Sequence, residues 1–149
     1  MGWLCLTKYN YDDYQEYDPD YPGGPYQKDY DKLRERLLYH RIVKWDKHSL
    51  TLDDGTKIEI VCSEQDCCAW AGGVWNDVEL DAVITDVSNP KSWDVPDDDT
   101  HVVAGVVTIF HNQNPIAVAD CEGNAGNGGY YGSVCSLRIG DIDYPVLEA

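Results

Sequence analysis

The chain predicts a mainly β fold: an antiparallel β-sandwich or partly open barrel with one short N-terminal helix. Three observations carry that expectation. The hydrophobes are skewed toward Val, Ile, Trp and Tyr, with one Phe and one Met, a mix that suits pleated sheets better than helix bundles. From residue 41 onward apolar and polar residues alternate in short runs, the period of half-buried strands. Polar turn signals separate the runs, among them Asp54-Gly55 and Asn112-Gln113-Asn114-Pro115, and evenly spaced short strands of this kind indicate a sandwich or barrel.

The 149 residues suit one domain, which at this size buries roughly two thirds of its unfolded surface. The expected division is a Tyr/Asp-rich arm over residues 1–28 and a single β-rich domain over 29–149. Over residues 9–31, tyrosine recurs at 9, 11, 14, 17, 21, 26 and 30 among acids such as Asp12, Asp13, Asp18 and Asp20. Aliphatic residues are absent from 9–31, and Pro19, Pro22, Gly23, Gly24 and Pro25 forbid a continuous helix or strand. Such a stretch cannot hold itself together by burial. It is a solvated leader, or an arm that covers the domain or a partner through rings that lose little side-chain entropy.

A short basic helix is expected at about 30–39. Tyr30, Leu33, Leu37 and Leu38 recur at helical spacing, and Asp29 or Asp31 can cap its start. Beyond it the strand candidates are Arg41–Asp46, Ser49–Leu52, Lys57–Cys62, Val78–Val87, His101–His111, Ile116–Asp120, Tyr130–Ile139 and Ile142–Val146. Ser63–Asp77 and the Pro- and Asp-rich Ser88–Thr100 read as irregular.

Charge narrows the function. The net charge is −16, yet Lys32, Arg34, Arg36, Arg41, Lys44 and Lys47, set against Glu35 and Asp46, give residues 32–47 a charge of +4, leaving −20 for the rest. So acidic a surface repels nucleic acid and anionic lipid and attracts basic proteins. The basic block is expected to dock internally against the acidic remainder. The expected partner is a protein with a basic surface, engaged through Tyr11, Asp12, Asp13, Tyr14, Tyr17, Asp18 and Asp20 of the arm and through Asp97, Asp98 and Asp99.

No apolar run approaches the roughly 20 residues that span a bilayer. The opening Met-Gly-Trp-Leu-Cys-Leu lacks the features of a secretory signal, and Leu6 stands where myristoylation wants Ser or Thr. A cytosolic protein with free thiols is therefore expected. Of the six cysteines, Cys62 shares a strand face with Ile58 and Ile60, and Cys135 shares one with Leu137 and Ile139; both read as core. Cys62, Cys67, Cys68 and Cys121 are the zinc candidates to weigh. Cys62 and Cys67 have four residues between them but no second close pair follows, so no metal is expected. A thiol nucleophile would need a histidine and a third, orienting group, and the sequence singles out none.

The Gly-rich run Glu122–Gly129 lacks the Lys-Ser/Thr end of a P-loop, and strand rather than helix follows it, so it reads as a long hairpin or bulge. Asp18–Asp29 imitates part of a calcium loop, but Pro22 occupies a ligand position. No enzymatic activity and no cofactor are expected. The rival expectation is a small-ligand domain, a sponge for a nucleotide signal, with Trp70, Trp75, Asn127, Tyr130 and Tyr131 lining a pocket between the Cys67–Trp75 and Gly123–Gly132 loops. A phosphorylated ligand there would need Arg138, Arg41 or Lys44 to converge on it. A virion or assembly component is a further alternative, unannounced by any coiled-coil heptads.

Four blocks in order, Leu50–Ile60 (LTLDDGTKIEI), Cys67-Cys68-Ala69-Trp70, Ile84-Thr85-Asp86-Val87 and Gly126–Gly132 (GNGGYYG), together resemble an uncharacterised domain-of-unknown-function family of small proteins from phages of actinobacteria. The resemblance covers roughly residues 41–140. It implies a compact, mostly β domain in the host bacterial cytoplasm, and it brings no activity or ligand with it. On this footing the expected role is a phage accessory protein that binds and inhibits a host or competitor protein, with carboxylates replacing phosphates if it is a nucleic-acid mimic.

Overall fold

A computed structural model describes residues 27–66, 68–96, 100–127 and 131–149, and the side chains among these except those of 27–29 and 127. The fold is two antiparallel sheets with one helix, a sandwich and not a closed barrel. Helix α1 (Gln27–Leu37) is followed by strands β1 (Ile42–Trp45), β2 (Ser49–Leu52), β3 (Lys57–Gln65), β4 (Trp70–Asn76), β5 (Asp86–Val87), β6 (Lys91–Val95), β7 (Thr100–His111), β8 (Asn114–Asn127), β9 (Ser133–Ile139) and β10 (Ile142–Glu148). The first sheet runs β1-β2-β3-β9-β10; the second runs β4-β8-β7, with β5 and β6 sharing the far edge of β7.

Local chemistry explains the turns. The β7–β8 hairpin closes through Asn112 and Gln113 at φ 47° and 74°, the two positive dihedrals of a type I′ turn, whose twist matches the flanking strands. At Asp54-Gly55 the glycine takes φ 88°, and the Asp54 carboxylate accepts the Thr56 N–H at 2.9 Å. That bond, ahead of the other contacts, holds the Asp54 carboxyl below the usual carboxylate range. Asp46 is lowered in the same way by the backbone N–H of His48 and then that of Ser49, at the β1–β2 turn.

The core lies between the sheets. The first sheet contributes Leu50, Leu52, Ile58, Ile60, Cys135, Leu137 and Ile139, all buried. The facing side of β8 is Ala117, Ala119, Cys121, Gly123 and Ala125, also buried. These small residues let the sheets approach. A Cβ added to Gly123 would lie 2.7 Å from a Leu147 methyl, and one added to Gly105 of β7 2.9 Å from the other. Leu147 therefore occupies the space that two absent side chains leave.

Helix α1 starts earlier than its apolar spacing indicates and leaves through Tyr39 at φ 70°. Leu33 and Leu37 are buried in the core. Arg34 docks as the charge argument expects: its Nε donates to Asp86 Oδ1 at 3.0 Å, and its Nη2 donates to the Val87 carbonyl at 3.1 Å. The rest of the basic block does not follow. Lys32, Arg36, Arg41, Lys44 and Lys47 are exposed, and no ion pair holds them among the described residues. One guanidinium suffices to fasten the helix to β5, so long flexible cations remain in water, where an ion pair gains little.

Other expectations change as well: Glu122–Asn127, read as part of a hairpin or bulge, continues strand β8. Strand β4 lies inside the stretch read as irregular, because its two glycines hide the alternation. Strand β6 lies in the other irregular stretch; Pro90 and Pro96 bracket it and all five residues are exposed, so no inward apolar face marks it in sequence. Of Val78–Val87 only β5 is strand, and Val83 adds an isolated bridge to Arg41.

Candidate interaction face and side-chain clusters

Strand pairing fixes what the second sheet shows to solvent. Paired residues in antiparallel strands share a face, and successive residues alternate between faces. The register sets Trp70, Asn124 and Val102 in one row, Gly72, Glu122, Ala104 and Trp93 in the next, and Val74, Asp120, Val106 and Lys91 in a third. Since Trp75, Cys121 and Val103 point into the core, these rows lie on the outer face. Burial agrees: Trp93 is 53% exposed and Trp70 44%, while Asp120 and Glu122 are exposed.

The two tryptophans stand on opposite sides of this face, three strand spacings apart, or roughly 15 Å. Between them, Gly72 and Ala104 make a low floor on either side of Glu122. A Cβ built on Gly72 meets nothing within 4 Å. Glu122 is the diagonal neighbour of Trp70, a separation of roughly 7–8 Å. Asp120 accepts a hydrogen bond from the Asn76 amide on the same face. Aromatic rings, an open floor and two carboxylates thus share one surface.

The residues singled out in sequence are distributed differently. Trp75 is in the core at 1% exposure, and its backbone N–H donates to the Lys47 carbonyl at 2.8 Å. It is therefore a packing residue that links β4 to the β1–β2 turn. Tyr131 is 37% exposed, and its ring lies over Gly126. At φ 75°, a Cβ on Gly126 would sit 2.8 Å from that ring and 2.9 Å from the Cys68 carbonyl oxygen. Tyr11, Asp12, Asp13, Tyr14, Tyr17, Asp18, Asp20, Cys67, Asp97, Asp98, Asp99 and Tyr130, and the side chain of Asn127, lie outside the described residues.

Arg138 pairs with its cross-strand neighbour Asp143. Its Nε donates to Asp143 Oδ1 at 2.7 Å and its Nη2 to Asp143 Oδ2 at 3.0 Å, a two-pronged pair in which the Asp143 side chain is 0% exposed. A groove of about 510 Å³ opens between Asp46–Ser49 and Lys57–Ile60; neither Trp70 nor Tyr131 lines it.

Two titratable clusters remain. His40 Nδ1 lies 2.8 Å from Asp53 Oδ1 and 3.8 Å from Asp54 Oδ2, and one ligand atom from each of these residues falls within 4.8 Å of the others. Asp53 also accepts the Arg41 N–H at 3.3 Å, so the cluster ties the helix exit to the β2–β3 turn. The second cluster is thiol. Cys62 and Cys135 are direct cross-strand partners, and Cys121 reaches Cys135 from the opposite sheet. The Cys121 thiol, followed by burial, pushes the Cys135 thiol far above its ordinary value of 9.0. Spacing along the chain could not have revealed this convergence, because it is made by pairing between sheets.

The Cys135 environment has a measurable consequence. Below pH 9 the thiol is protonated whether folded or unfolded. Above it the unfolded chain releases the proton while the folded chain keeps it, so stability falls with rising pH, by about 1.4 kcal/mol per unit for this one group. Urea unfolding under reducing conditions from pH 8 to 10 reads the slope, and Cys135→Ala is expected to flatten it. Thiol labelling of the native protein should modify exposed Cys68 well before Cys121 and Cys135.

Fold and surface together define the protein as a two-sheet β-sandwich whose second sheet presents an aromatic and acidic outer face among the described residues. Residues 35–137 match the family model described as a domain of unknown function (DUF7448), and the chain belongs to that family. No curated protein and no solved structure matches it. Among the described residues no helix is long and apolar enough to cross a membrane.

Proposed function

We propose that this chain is a non-catalytic binding protein that engages a partner with a basic surface and occludes it. The observation that carries this reading is the outer face of the second sheet, where Trp70 and Trp93 stand exposed around Glu122 and Asp120. Exposed tryptophans supply the apolar anchor of a protein interface, and the −16 charge supplies long-range attraction to a cationic one. The finer form of the proposal is a phage accessory protein acting on a host or rival protein in the bacterial cytoplasm, to which the matched family, of unknown function, brings no activity. Mimicry of nucleic acid is the narrower form, in which the partner's basic surface normally holds DNA or RNA. The nucleotide-sponge alternative loses two of its parts, because Trp75 is in the core and Arg138 is committed to Asp143.

Affinity capture from a bacterial lysate tests the reading. A basic protein should be retained at roughly 50 mM salt and released near 500 mM, where surface charges are screened. Asp120→Asn combined with Glu122→Gln should weaken retention. Displacement of the captured protein by duplex DNA would support the mimic form. Recovery of nothing at low salt would overturn the proposal.

A further inference from the structure

We infer that the outer face of the second sheet is built for arginine side chains carried on an extended segment of the partner. This deepens the binding role proposed above and rests on it. The face offers more than charge. A lysine-rich partner needs only carboxylates, and those are plentiful over the whole molecule. Arginine gains from two further features: a planar aromatic surface on which its guanidinium stacks, and a carboxylate near enough to take its donors in parallel. The face supplies both together. Trp70 has Glu122 as its diagonal neighbour, and Trp93 shares a cross-strand row with the same Glu122.

The space between the rings matches an extended chain. Strands rise about 3.3 Å per residue, so the roughly 15 Å from Trp70 to Trp93 is covered by four to five residues. Gly72 and Ala104 keep the floor between the rings low, and a Cβ on Gly72 would enter open space. A backbone can therefore lie flat across β8 and β7 with its arginines reaching both tryptophans. Asp120, adjacent on β8 along the same face, adds a second acceptor.

Binding to two synthetic peptides of equal length and charge tests this, one carrying arginines four residues apart and the other lysines at the same positions. The wild-type protein should bind the arginine peptide about fivefold tighter at low salt, the size expected of stacking on an exposed ring. Trp93→Ala and Gly72→Val should each remove that preference, so that the two peptides bind equally. Both positions are open to solvent or empty space, so both variants fold; unchanged thermal melting verifies it. Equal binding of the two peptides by wild type would overturn the arginine inference and leave the basic-partner role standing. A preference that survives both substitutions would also overturn it, by placing the site elsewhere. Binding of neither peptide would overturn the inference and the role together.

Discussion

Arg138→Met is expected to cost about 3–5 kcal/mol, the usual penalty for leaving a buried charge without its counter-ion. The Asp143 side chain has no exposure, and the Arg138 guanidinium meets both of its oxygens. Deleting the cation takes the counter-ion from a carboxylate that has no exposure. At this chain length the loss corresponds to a melting temperature lower by on the order of 10 °C. The double variant Arg138→Met, Asp143→Leu separates two explanations. If the stranded charge is the cause, the second change restores most of the stability, since buried pairs are often replaceable by apolar residues of similar size. If the double variant melts as low as the single one, the loss is of packing by the arginine stem.

Gly73→Ala should also be strongly destabilising, in contrast to its neighbour. A Cβ on Gly73 would lie 2.4 Å from the Asp120 carbonyl oxygen and 3.0 Å from the Cys121 Cα. Both obstacles are backbone, so no rotamer change relieves them, and β4 must move away from β8. A loss of about 2 kcal/mol or more follows. The equivalent Gly72→Ala meets nothing within 4 Å and should be tolerated, within about 0.5 kcal/mol of wild type. Denaturant unfolding of the two single variants measures the difference. Equal behaviour would mean that β4 does not lie against β8 in the register described.

Most of the body was legible in the sequence because its strands bury one face. Leu50 and Leu52, then Ile58 and Ile60, then Leu137 and Ile139 alternate with polar residues, and the turns between them carry their own chemistry. The two missed strands failed for opposite reasons. In β4 the alternation is hidden by Gly72 and Gly73, which have no side chain to pattern. In β6 neither face is buried, so Lys91, Ser92, Trp93, Asp94 and Val95 have no contrast to display. Both missed strands carry the candidate face, and so the face escaped sequence reasoning. In sequence Trp70 stands only as a ring beside a glycine loop, and nothing marks Trp93. Their common surface depends on three strand pairings that no local spacing encodes. Cys121 and Cys135 met the same limit: in sequence Cys135 reads as a core thiol and Cys121 only as a zinc candidate, until the sheets stack.

Strand β8 faces two worlds. Its inward residues, Ala117, Ala119, Cys121, Gly123 and Ala125, are buried against the first sheet, while the alternating Asp120 and Glu122 are exposed. Substitutions in the outward set can therefore alter that surface without disturbing how the sandwich stands. On the binding role proposed above, one strand would let recognition drift at every second letter while the remaining letters keep the house upright.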